Sequence, residues 1–211
     1  MVSAMAAKAR PSCLDRRCAY TALAPCCSSL SSSSLTPTTT LTCTQPTPRP
    51  NVQLPLVGDE SIMSKKAHGT TDRPVQQGLR WGCSQQTADK IVSFNRHYAE
   101  HSGYWLTTNF LEEEPAASGE PITFRDSVTG APLFRAPIGR SWDAFVTESR
   151  QHGWPSFRDE EVVWDNVRVL RDGEAVSVTG SHLGHNLPDR TGNRYCINLV
   201  SVAGNEPVAE E

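Results

Sequence analysis

The sequence predicts a mainly β fold of small antiparallel sheets, with one or two helices on the N-terminal side. Three observations lead there. Helical periodicity is confined to two stretches before residue 154. An Asp-Gly turn at Asp172-Gly173 separates two valine-rich runs, and period-two alternation runs through the segment beginning at Arg194.

The first 62 residues differ from the rest. They carry one acidic residue (Asp15) before Asp59, five Lys or Arg, and a Ser/Thr/Pro-rich stretch from Ser28 to Pro50. Basic, hydroxyl-rich and acid-poor is the composition of an organelle transit peptide. A disordered low-complexity tail, or translated sequence upstream of a start at Met63, is the competing reading. No compact apolar core of a secretory signal appears. The compartment is then a plastid or mitochondrion if the segment directs import, and the cytoplasm otherwise. Residues 63–83 read as a linker, 84–204 as the domain and 205–211 as a short tail.

Within the domain, a helix is expected from Ser84 or Thr87 to His101. Ile91, Phe94, Asn95 and Tyr98 recur at helical steps, and Gly103 marks its stop. Residues 115–121 form a loop. Ile122–Arg125 and Leu133–Ala136 are short strands around Thr129-Gly130. Ser141 caps a second helix that turns Trp142, Phe145 and Val146 to one side, and Gly153 supplies its left-handed end. Trp154-Pro155 cannot comfortably continue a helix, so the chain leaves as an ordered loop. Strands Val162–Leu170 and Ala175–Val178 flank the turn at Arg171–Glu174. A tight turn at Thr191–Asn193 precedes a last strand, Arg194–Val202.

Composition limits the function. A net charge of −3 and a pI of about 6.1 argue against a general nucleic-acid surface. No apolar run approaches the roughly 18 residues of a membrane span. Five of the seven cysteines lie in the first 50 residues, leaving Cys83 and Cys196. That is no disulfide framework, and a reducing compartment is the default. Adjacent cysteines such as Cys26-Cys27 rarely make a tetrahedral metal set.

Cys196 is the one thiol inside the densely patterned part of the sequence. On a strand, Arg194, Cys196 and Asn198 point one way while Tyr195, Ile197 and Leu199 enter the core. The bland interpretation is a half-solvated strand with incidental polar groups. His182 and His185 shift the balance, because a bend at Gly184 would let both imidazoles converge near the thiol. At an ordinary cysteine pKa of about 8.5 only roughly one thiol in thirty is ionised at pH 7. Arg194 and a protonated histidine would raise that fraction. Asn198 and an imidazole would hydrogen-bond a departing oxygen, so the set suits nucleophilic catalysis. A cysteine-protease reading lacks an oxyanion-hole signature, and a metal at His182 and His185 lacks further ligands. Trp154 is placed to wall a pocket for a small apolar group such as a methyl, against the simpler role of core filling.

Together these residues resemble the B-type methionine-R-sulfoxide reductases, the SelR-domain (MsrB) proteins. The resemblance rests on Phe124, Gly130-Ala131-Pro132-Leu133-Phe134, Gly153-Trp154-Pro155-Ser156-Phe157, His182-Leu183-Gly184-His185 and Thr191-Gly192-Asn193-Arg194-Tyr195-Cys196-Ile197-Asn198. These segments run in the family's order over about residues 84–203. The resemblance implies small twisted antiparallel sheets of the SelR type. It implies that Cys196 attacks the sulfur of a methionine sulfoxide while His182 or His185 protonates the oxygen, leaving a sulfenic acid on Cys196. Trp154, with Phe157 beside it, would bind the substrate, and Arg194 and Asn198 would orient or polarise the site. An external thiol such as thioredoxin would recycle the enzyme, a monomer with no nucleic-acid or membrane partner.

Departures from the family pattern carry information. Many members bind a structural zinc through two Cys-x-x-Cys pairs. The matching positions here are Asp126 and Thr129, then Val176 and Thr179, so no metal and no other cofactor is expected. Packing is then left to join the two hairpins, in place of the roughly 10–16 kcal/mol that a structural zinc can supply. The resolving cysteine often found before Gly-Trp-Pro-Ser-Phe is replaced by His152, which leaves Cys83 as the alternative, and the loop between His185 and Thr191 is short. Two rival functions follow: an inactive SelR-fold binding module, and a redox sensor oxidised at Cys196.

Overall fold

The computed structural model describes residues 53–115 and 119–207; the proposed transit peptide lies outside these except for residues 53–62. The described chain is mainly β, with seven strands in two antiparallel sheets and two α-helices.

Helix α1 spans Gln85–Phe94, and Ser84 caps it by accepting the Thr87 N–H at 3.3 Å. Ala88, Ile91 and Val92 are its buried face. The expected extension to His101 does not form. Asn95 is extended (φ −147°, ψ 91°) and its side-chain oxygen accepts the His97 N–H at 3.3 Å, a local bond that competes with the helix. Phe94 and Tyr98, assigned by periodicity to the buried face, are each 57% exposed.

Strands β1 (Ile122–Arg125) and β2 (Pro132–Ala136) form a two-stranded hairpin. Helix α2 (Trp142–His152) follows as expected, capped by Ser141 on the Ala144 N–H and ended by Gly153 at φ 87°. The segment after it is a strand rather than a loop: β3 (Ser156–Phe157) pairs with the last strand.

The second sheet adds β4 (Val167–Val169), β5 (Glu174–Ser177), β6 (His182–Asn186) and β7 (Tyr195–Ile197), in the order β3-β7-β6-β5-β4. Two expected strands shrink. Asp159–Glu161 takes a 3-10 turn before β4, and β7 gives way to a second 3-10 turn at Leu199–Ser201.

One aromatic core joins these elements. Phe157 stacks on Phe134 at 4.4 Å between centroids and meets Phe124 edge-on at 4.9 Å. Residues 63–83, expected as a linker, belong to the packed unit: Met63, Val75, Leu79, Trp81 and Cys83 are buried. The Arg80 N–H, donating to the Ala203 carbonyl, holds this segment against the C-terminal extension of the sheet, and just before the segment the Gly58 N–H donates to the Val169 carbonyl of β4.

Candidate active site

Cys196 is the middle residue of three-residue β7. Its cross-strand neighbours are His185 on β6 and Ser156 on β3. Facing side chains on adjacent strands lie about 5 Å apart, so the register alone brings an imidazole and a hydroxyl to the thiol. Gly184 is required beside it, since a Cβ there would lie 2.1 Å from the Cys196 carbonyl oxygen.

The thiol borders a mainly apolar cavity of about 260 Å³ with Trp154, His185, Asn198, Leu187 and the His97–Ala99 segment. Of the predicted site residues, Cys196, His185, Asn198 and Trp154 share this cavity. His182, Arg194 and Phe157 do not line it. Phe157 is fully buried in the aromatic core, because the residue after Ser156 on a strand must face the opposite way.

His182 and His185 do converge, by a different device from a bend. The β5–β6 register slips between Ala175 and Val176, so Glu174 faces His185 while Val176 faces His182. The extra residue brings the two rings to 5.7 Å between centroids at 66°. His182 is buried, and its Nδ1 donates to Glu174 Oε1 at 2.7 Å. Arg96 clamps the same carboxylate through Nε (2.9 Å) and Nη2 (2.6 Å). Burial raises the Glu174 pKa, but the bonds from His182 and Arg96 outweigh it and hold the carboxyl below its usual range. Burial, reinforced by neighbouring His182, lowers the His185 pKa, so His185 is neutral near pH 7.

The polar face of β7 is covered rather than solvated. Arg194 and Asn198 are both buried. Asn198 donates to the Leu183 carbonyl at 3.1 Å and accepts the Glu100 N–H at 3.3 Å. The expected net lowering of the thiol pKa does not occur. Burial raises it, and the hydrogen bonds and charge supplied by Arg194 and Ser156 offset this only in part. Arg194 itself keeps Nε and Nη1 without hydrogen-bond partners, with Nε 3.7 Å from Asp189.

Cys83 lies elsewhere, buried beside Tyr104. Burial, with the charge of Glu100 added, pushes its thiol up to about 12, the signature of an unreactive cysteine.

The positions matching the family's zinc ligands do not fit that metal. Asp126 is fully buried and its oxygens are occupied. Oδ1 accepts the Val128 N–H at 2.8 Å, Ser181 Oγ donates to both oxygens at 3.0 Å, and Thr179 Oγ1 donates to Oδ2 at 3.2 Å. Packing is therefore not alone in joining the hairpins. A carboxylate with hydroxyl donors ties the β1–β2 turn to the β5–β6 turn.

Sequence reasoning missed His97, Tyr98, Glu100, Arg96 and Glu174. Four of these lie on the segment misread as helix. Glu174 was taken only as a turn residue, and its place opposite His185 on the sheet was the available signal.

A thiol facing a ligand-sized apolar cavity from the centre of a small antiparallel sheet, with an imidazole and an indole around it, is an arrangement suited to thiol chemistry on an apolar group. The chain carries a domain of the B-type methionine-R-sulfoxide reductase (MsrB, or SelR) type. No family model matches it. It is 44% identical over 61 residues, 24% of this chain, to "Peptide methionine sulfoxide reductase MsrB" of Methanosarcina mazei, covering 43% of that protein. It is 28% identical over 129 residues, 56% of this chain, to "Methionine-R-sulfoxide reductase B3, mitochondrial" of Mus musculus, covering 47% of that protein. Against the Escherichia coli MsrB (strain K12) it is 29% identical over 110 residues, 47% of this chain and 77% of the relative. The chain spans about half the length of the first of these curated relatives.

Proposed function

We propose that this protein reduces methionine-R-sulfoxide residues in oxidised proteins to methionine. The observation that carries the proposal is Cys196 at the wall of an apolar cavity shared with Trp154 and His185. The Cys196 thiol passes its proton to neutral His185 as Sγ attacks the sulfoxide sulfur, and His185 hands that proton on to the sulfoxide oxygen. The sulfoxide gains two electrons and leaves as a thioether. Cys196 loses two and carries the oxygen as a sulfenic acid. A dithiol such as thioredoxin then forms a mixed disulfide with loss of water and is released as its own disulfide, restoring the thiol.

Each neighbour has a part. Trp154 packs against the substrate's methyl group, Asn198 orients the polar end, and Arg194 favours the thiolate from behind. Glu174, held by Arg96, sets His182 with its proton on Nδ1 and its other nitrogen free to exchange a proton with His185 through solvent or substrate. Protein-bound substrate is favoured because no Lys, Arg, Asp or Glu lines the cavity, so the ammonium and carboxylate of the free amino acid would find no partner.

The hairpin joint at Asp126 supports a metal-free protein. The composition of residues 1–62, together with the mitochondrial name of the mouse relative, supports import into an organelle. Among the described residues no helix is long and apolar enough to cross a membrane.

The deciding experiment compares R- and S-sulfoxides of dabsylated methionine with dithiothreitol as reductant. Turnover of the R epimer that disappears in Cys196→Ser is expected. Equal turnover of both epimers, or activity surviving that substitution, rejects the proposal. The raised Cys196 pKa favours a second reading, a SelR-fold module that binds without turning over. Partner binding that persists without Cys196, in a protein inactive on both epimers, would select it.

A further inference from the structure

Glu100 is a buried carboxylate to which no cation among the described residues is bonded. Its two oxygens instead accept successive backbone N–H groups just beyond Cys196: Leu199 to Oε1 at 2.6 Å and Val200 to Oε2 at 3.2 Å. Its own backbone completes the set. The Glu100 N–H donates to Asn198 Oδ1 at 3.3 Å, and its carbonyl accepts the Trp154 indole N–H at 3.2 Å. The chain around it is tied down further on. Gly103 N–H donates to the Gly153 carbonyl at 2.8 Å, and Gly153 packs against Ser102 so closely that a Cβ there would lie 2.1 Å from Ser102 Oγ and force it to turn away. The three residues before Glu100 supply one wall of the Cys196 cavity.

A carboxylate is the side chain these donors require. A glutamine of the same length would accept one N–H and turn its amide NH₂ against the other, leaving a buried donor unsatisfied. Burying an acid is unfavourable, and here the unfavourable group stands where the cavity's indole and amide are both fixed.

We propose that Glu100 is a positioning residue for the Cys196 reaction: it ties the His97–Glu100 strap to the backbone after β7, and so sets the Trp154 indole and the Asn198 amide at the cavity. This rests on reading Cys196 as the nucleophile, and the test separates the two ideas.

The first measurement uses nuclear magnetic resonance on the unsubstituted full chain and needs no activity. The amide protons of Leu199 and Val200 should move together with one ionisation near neutral pH. Glu100 is held near 7 by burial, against the two N–H bonds, which pull it down. Its titratable neighbours Cys83 and Tyr104 are pushed upward, away from this range. In Glu100→Gln the titration should vanish and the Trp154 indole N–H signal should shift. Amides that ignore pH, or an unmoved indole signal, overturn the proposal even if the enzyme is active.

The second measurement is turnover of the R-sulfoxide. Glu100→Gln should lower kcat/KM about tenfold in the parent chain but less than twofold when Trp154 is already phenylalanine, which lacks the indole N–H. Equal losses in both backgrounds would mean that Glu100 does not act through Trp154. A parent chain without turnover would reject the sulfoxide reading and leave the resonance measurement to decide the role of Glu100.

Discussion

Glu174 and His182 form a buried pair, carboxylate to Nδ1 at 2.7 Å, and Glu174 is also the cross-strand partner of His185, the imidazole that borders the Cys196 thiol. Because an ionised carboxylate can only accept, His182 must carry a proton on Nδ1. Glu174→Gln removes that constraint and leaves Arg96 facing a neutral amide. We expect kcat on the R-sulfoxide to fall about 10–100-fold, as for other groups that orient a histidine, with a smaller change in KM. Arg96→Ala should cost less, and steady-state kinetics on the two variants checks the order. The depressed Glu174 carboxyl also contributes stability that is present above its unfolded pKa and is lost in acid as pH falls through the lower folded value.

The Cys196 thiol should behave as a thiol of raised pKa in the resting protein. Alkylation by iodoacetamide, followed at the Cys196 peptide by mass spectrometry, should be slower at pH 8 than for a free cysteine and should rise with pH. Arg194→Met removes the larger of the two influences that offset burial, so the alkylation curve should move to still higher pH. A curve that moves to lower pH would contradict the assigned sign.

Glu100 reverses the usual acid dependence. Its folded pKa of about 7 lies above the ordinary value of 4.5, so the folded state holds the extra proton more tightly. Stability from this group therefore grows as pH falls from about 7 towards 4.5, is constant below that, and is lost above 7. The full shift corresponds to about 3 kcal/mol. Denaturant unfolding at pH 8 and pH 5.5 should show this slope in the parent and a weaker one in Glu100→Gln.

The joint at Asp126 predicts a stability effect without a metal effect. Asp126→Ala strands the Val128 N–H and the Ser181 and Thr179 hydroxyls, and should destabilise the fold by about 2–4 kcal/mol. Exhaustive chelation of the unaltered protein should leave its melting temperature unchanged. A large fall on chelation would reveal a metal that Asp126 does not replace.

Gly184→Ala tests the strand contact at the thiol. The new methyl would meet the Cys196 carbonyl oxygen at 2.1 Å, so β6 or β7 must shift. Loss of R-sulfoxide turnover larger than the loss of thermal stability is expected, and enzyme assays beside calorimetry decide it.

Much of this architecture was legible before the structure. Ser141 and Gly153 bound a helix because one accepts an early N–H and the other takes a left-handed φ, and both are local effects. Period-two alternation correctly separated Tyr195 and Ile197, in the core, from Cys196. What escaped was set by distant partners. The apolar spacing through Tyr98 suggested helix, but the chain leaves it at Asn95 and is then held by the backbone and Asn198 after β7 and by Gly153 and Trp154 after α2. Phe157 looked like a substrate contact because it adjoins Trp154 in a family motif, yet strand alternation sends it to the opposite face. Arg96 and Glu174 are 78 residues apart and meet only in the assembled protein.

The carboxylate–hydroxyl joint bears on where such a protein can work. Between residues 53 and 207 the chain has three sulfur atoms, in Met63, Cys83 and Cys196, and the first two are buried. A fastening of oxygen atoms presents nothing for peroxide to attack, whereas thiolate ligands are oxidised and release their ion. The scaffold can thus stay intact in oxidising surroundings, with the least buried sulfur among the described residues at Cys196.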